Sequence, residues 1–192
     1  MKPAILFALS LCCPAAIIDR IAIVAGRHAI LDSAIATEIR VTAFLNHETP
    51  DFSAASRKEA ASRLIDQALI REQIASGDYP VAKESEAAAL LAQIRADRPQ
   101  YRAELARDGI TEQELKDRLL WQLTVLRFID ARFRPQVVVS DEEIHRAQAG
   151  RKTDRQAIVD QLTGERVNAL LDDWLKQQRS EARIEYLEKS LQ

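Results

Sequence analysis

The three histidines, His28, His47 and His145, are the first candidates for chemistry, because imidazole titrates near neutrality. They stand far apart, and none has a second histidine one helical turn away. A catalytic base or a metal site needs converging groups, so each reads as a surface or turn residue. Asp141, Glu142 and Glu143 could serve acid/base work, but they open a helix, where the helix dipole alone accounts for acids. Asp172 and Asp173, before Trp174, read as a solvated edge, since paired catalytic acids must meet strict geometry. No Gly-rich phosphate loop, nucleophile elbow or HExxH helix occurs. Arg127, Arg132, Arg134, Arg146, Arg151 and Arg155 form a locally basic stretch. It reads as a solvated face in preference to a patch for an acidic partner. No catalytic residue, cofactor or metal ion is therefore expected.

What remains is a set of apolar stripes and the elements that carry them. Of the 192 residues, 47% are hydrophobic, 29% charged and only 5% aromatic, with five Gly and six Pro. Ala and straight-chain residues dominate, and they lose little side-chain freedom in a helix. Ile17 to Ala25 is a β-branched run bounded by Gly26 and reads as a strand, with His28 to Leu31 as a second. Asp32 or Ser33 should cap a helix reaching Asn46. Further helices are expected over Ala54 to Ser76, stopped by Gly77 at C′, over Lys83 to Asp97 and over Gln100 to Arg107. Thr111 and Glu114 make a capping box for Glu112 to Phe133, and Ser140 and Glu143 a second box for a helix dying at Gly150. Thr153 with Gln156 should cap a last helix reaching Ser180. The tail from Arg183 alternates as a terminal strand that could pair with the first.

Two stripes carry the candidate binding residues. Leu115, Leu119, Leu123, Leu126, Ile129 and Phe133 recur every three or four residues and should share one helix face. Val167, Leu170, Leu171, Trp174 and Leu175 line the last helix, with Trp174 as its anchor. Leu115, Leu119, Leu123, Leu126, Ile129 and Trp174 are thus the candidates for a client groove or for the core.

The first fifteen residues read as an export signal. Lys2 is the positive start, Ala4 to Leu11 the apolar run and Cys13-Pro14-Ala15 the exit, with cleavage near Ala15. The run falls short of the roughly 20 residues a bilayer span needs, so stable membrane insertion is not expected. Cys12 and Cys13 both lie inside it, so the mature chain would hold no thiol chemistry. Losing Lys2 makes the net charge of −2 one unit more negative, which gives no general attraction to nucleic acid.

The order of elements resembles the SurA-type periplasmic chaperone family. The run Ile18-Asp19-Arg20-Ile21-Ala22-Ile23-Val24, followed by Gly26 to Leu31, is similar to the start of its mature chains. Leu64 to Ile70, Asp108-Gly109-Ile110-Thr111 with Leu115, Val137 to Ile144, and Trp174-Leu175 with Arg179, Ala182 and Ile184 match later steps in order. Ala82 departs, standing where relatives put a capping Ser or Thr. A larger departure is that parvulin-type prolyl isomerase domains sit between the last two matches in the family. Here only Arg146 to Arg166 lies between them.

The resemblance implies a mainly α fold, a helical chaperone core with a small antiparallel sheet joining the N- and C-terminal strands. It divides the chain into a signal peptide over 1–15, a helical module over 16–145, a short connector over 146–166 and a closing helix and strand over 167–192. It implies an ATP-independent periplasmic holdase that binds unfolded or extended segments of exported outer-membrane proteins, without isomerase activity. The contrasting reading is a structural adaptor with one fixed partner, or with a second copy of itself as a homodimer; a subunit of an isomerase system is weaker still.

Overall fold

A computed structural model describes residues 19–149 and 154–191. The proposed signal peptide, Ile17, Ile18, Gly150 and Thr153 lie outside the described residues. The chain is mainly helical, with a three-stranded antiparallel sheet in the order β2-β1-β3.

The strands are β1 (Ile21–Ala25), β2 (His28–Leu31) and β3 (Ile184–Tyr186). Gly26 and Arg27 join the first two. Gly26 alone of the pair has positive φ, at 59°, the pattern of a two-residue hairpin turn with glycine first. The register slips between Ile21 and Ile23, so a bulge at Ala22 turns both Ala22 and Ile23 into the core. The strand is shorter than the run read from the sequence, since Asp19 and Arg20 precede it without strand pairing. β3 pairs with β1 through Ile23–Tyr186, Val24–Glu185 and Ala25–Ile184, as the two distant strand signals suggested. The Ala22 carbonyl also accepts from the Leu187 and Glu188 N–H groups, at 2.9 and 3.1 Å.

Seven helices follow β2 within the described residues: α1 (Asp32–Asn46), α2 (Ala54–Ser76), α3 (Glu84–Asp97), α4 (Tyr101–Asp108), α5 (Glu112–Arg132), α6 (Asp141–Gln148) and α7 (Arg155–Glu181). Both capping boxes form, Thr111 with Glu114 and Ser140 with Glu143. The cap of α1 differs from expectation. Leu31 holds the N-cap position without a side-chain bond, and Asp32 lies inside the first turn. Asp32 instead pairs with Arg57 at 2.7 Å, while the Ser33 hydroxyl bonds Asp19. Gly77 follows α2 but in an extended conformation, not the left-handed one of a C′ glycine. Its lack of a side chain matters for another reason: a Cβ there would lie 2.5 Å from the Tyr79 ring. Asp154 caps α7, accepting from the Gln156 N–H at 3.1 Å. The stretch 146–166 holds the end of α6 and the first turns of α7, so most of it is helix.

Three apolar clusters share these helices. The sheet, α1 and the first half of α2 enclose Ile23, Ile35 and Ile65, and Leu191 closes that cluster from the C-terminus. The second joins α1, α3, α4 and the first half of α5 around Phe44, Leu105 and Leu115. The third gathers Ile70, Phe128, Phe133, Val167 and Trp174 from α2, α5, its exit and α7. Polar ties fix the C-terminal part to α2: Arg179 to Asp66 at 2.6 Å, and Arg57 to Glu188 at 3.1 Å.

Candidate functional site

The long helix α5 does not present one stripe. Leu115 and Leu119 are buried against α1 and α3, but the next buried positions are Thr124 and Phe128. Five residues, from Leu119 to Thr124, advance a 3.6-residue helix about 140° beyond a full turn. The buried face therefore crosses to the other side, because the second half of α5 serves a different cluster. Leu123 and Ile129, expected on a single stripe, are half-buried, and Leu126 is 58% exposed. Trp174 keeps only 8% exposure, with ring centroids 5.6 Å from Phe128 and 6.0 Å from Phe133. Leu115, Leu119 and Trp174 belong to the core, and Leu126 to an open surface.

That surface is a trough between α2 and α5. A depression of about 460 Å³ is lined by Ile70, Trp121, Val125 and Leu126, with Arg63 and Asp66 among its polar residues. A second, of about 270 Å³, opens where α1 meets the other two helices, and a third lies beside Ile74, Val81 and Leu120. All three share Trp121. The Arg71 guanidinium lies 3.8 Å from the centroid of its ring, a cation–π stack joining the two helices.

Beside the trough lies a buried carboxylate. Glu38 is 5% exposed on α1 and accepts from Arg63 at 2.9 Å, from Gln67 at 3.3 Å, from Thr42 at 3.4 Å and from Arg118. Burial pushes the Glu38 carboxyl up, but Arg118 and then Arg63 outweigh it and hold it below the ordinary carboxylate range. A buried acid with two guanidiniums fixes the relative placement of α1, α2 and α5, and so the width of the trough. The Arg118 Nε–H is buried without an acceptor.

The remaining candidates are structural. His47 takes the left-handed C-cap position of α1, with its Nε2 3.1 Å from Arg98. His28 ends the hairpin turn, and His145 is exposed on α6. Asp173 pairs with Lys176 at 3.2 Å. The basic stretch is internally engaged: Arg132 with the Tyr79 hydroxyl, Arg127 with Glu86, Arg134 with Asp130, Arg146 with Glu142 and Arg155 with Asp141. Arg151 lies outside the described residues. Among the described residues no group of three or more His, Cys, Asp or Glu could hold a metal ion, and no helix is long and apolar enough to cross a membrane.

Sequence reasoning passed over Glu38, Arg71 and Trp121. Glu38 was detectable, because it stands three residues after Ile35 and beside Ile39 on the apolar face of α1. Arg71 and Trp121 carry no local signal, since their meeting depends on how two helices pack. No protein-family model matches the chain, and no curated protein matches its sequence.

Proposed function

We propose that this protein is an ATP-independent holdase of the SurA-like type, which binds extended segments of exported proteins, outer-membrane proteins among them, in the periplasm. The observation that carries the reading is the trough beside Trp121, apolar at Val125 and Leu126 over the buried Ile70, and left open among the described residues. A groove of apolar side chains accepts many sequences, because burial of apolar surface has no directional demand. The sheet that joins both ends of the described chain and the capping boxes at Thr111 and Ser140 support the family likeness.

The same reading gives the protein no isomerase activity of its own. Only residues 149–154 separate α6 from α7, which leaves no length for an inserted catalytic domain.

Dilution of an unfolded outer-membrane β-barrel protein from urea, followed by light scattering, tests the proposal. The protein should suppress aggregation at near-stoichiometric ratios, and unrelated unfolded clients should be protected too. Leu126→Asp should weaken protection without unfolding the chain, since Leu126 is largely exposed. Unchanged scattering at a severalfold excess of protein would reject the reading.

A further inference from the structure

The middle of the trough holds a guanidinium, that of Arg71, with no carboxylate partner among the described residues. Arg71 makes no ion pair among the described residues; its guanidinium stacks on Trp121. A guanidinium lying on a ring face keeps its in-plane N–H groups free, and those are the groups that grip a carboxylate. Arg63 divides its guanidinium between Glu38 and Glu59, and Arg118 meets Glu38 and Thr42 while its buried Nε–H has no acceptor. The other acids that line these depressions have partners of their own, Asp66 in Arg179 among them. Glu114 accepts from Thr111 and Thr37, and Asp117 from Gln113.

We propose that the trough selects extended segments in which an acidic side chain is flanked by apolar ones, the carboxylate meeting Arg71 and the apolar neighbours packing beside Trp121. This rests on the reading of the trough as a polypeptide groove. In an extended chain residues i, i+2 and i+4 point to one face. An acid at the centre of such a triplet faces Arg71 while its apolar partners face the depressions on either side of the indole. The acid supplies the carboxylate that Arg71 lacks, and the apolar pair supplies burial.

The test uses the full chain and a fluorescently labelled, end-blocked peptide, Ser-Leu-Ser-Glu-Ser-Leu-Ser, with its Gln counterpart, read by anisotropy. Wild-type protein should bind the Glu peptide about five- to tenfold more tightly, the usual advantage of a charge-assisted hydrogen bond. Arg71→Gln should bring the two peptides within about twofold of each other by removing that bond. Arg134→Gln, which removes an exposed arginine paired with Asp130 on the surface, should keep the preference. Equal binding of both peptides by wild type would overturn the acidic preference and leave the groove standing, as would a preference that survives Arg71→Gln. Loss of the preference in Arg134→Gln would reduce it to general charge attraction and overturn it too. Failure of either peptide to bind wild type, together with failure to protect unfolded clients, would overturn the groove itself.

Discussion

Replacement of Trp174 by alanine separates core from groove most sharply. Trp174 is 8% exposed and packs against Phe128 and Phe133, with the Arg132 guanidinium 5.3 Å from its ring centroid. A tryptophan buries about 150–250 Å². At about 25 cal/mol per Å², that is worth about 5 kcal/mol for the whole side chain. Alanine keeps a small part, and a compact unfolded chain already hides some of the area. The cavity left between two aromatic neighbours and the loss of their ring contacts act the other way. The net expectation for Trp174→Ala is a loss of about 4 kcal/mol. With a urea dependence of about 2 kcal/mol per molar, the midpoint should fall by about 2 M. Far-UV circular dichroism reads it, because α7 and the end of α5 would unfold with the body. A midpoint within about 0.3 M of wild type would refute the core assignment and make Trp174 a client-contact candidate.

Glu38→Gln should destabilise the protein by about 3 kcal/mol at neutral pH, because it strands buried guanidinium charge; urea unfolding reads the loss. The folded carboxyl titrates below its ordinary value of 4.5, so its stabilising effect is complete above about that pH. It disappears as pH falls through the lowered folded value, and wild type and variant should converge there in an acid titration. Deleting Glu181 to Gln192 removes β3, the Glu188 partner of Arg57 and the buried Leu191, and should lower the thermal midpoint of the whole protein. An unchanged midpoint would show that the third strand adds nothing. A proline-switch peptide assay should show no acceleration that scales with protein concentration.

Features set by residues close in the chain are legible in the sequence. The Thr111–Glu114 and Ser140–Glu143 boxes are three-residue signals, and both form. The pairing of the terminal strands was legible because the first is a β-branched run, the second alternates, and neither could leave its backbone unpaired. The stripe on α5 misled because periodicity assumes that a helix faces one neighbour throughout. α5 faces two clusters, so Leu126 falls on the surface while Thr124 is buried. Thr124 also uses its hydroxyl to accept from the Ala82 N–H at 3.2 Å. That bond, with the Glu86 carboxylate on the Lys83 N–H at 2.8 Å, fixes the start of α3 where no hydroxyl cap exists. Position 82 could not have revealed this, because the compensating residue is on another helix.

The hairpin of β1 and β2 acquires its second neighbour only when β3 arrives, from the other end of the chain. Until Ile184 to Tyr186 have emerged from the ribosome, the inner edge of β1 carries unsatisfied N–H and C=O groups, a ready template for pairing with another chain. Loop closure over so long a separation comes late, since its entropy must be lost before the strand contacts return anything. Folding of the sheet thus waits for Ile184 to Tyr186, and a chain stalled before Ile184 would itself be a sticky, incomplete species in need of protection.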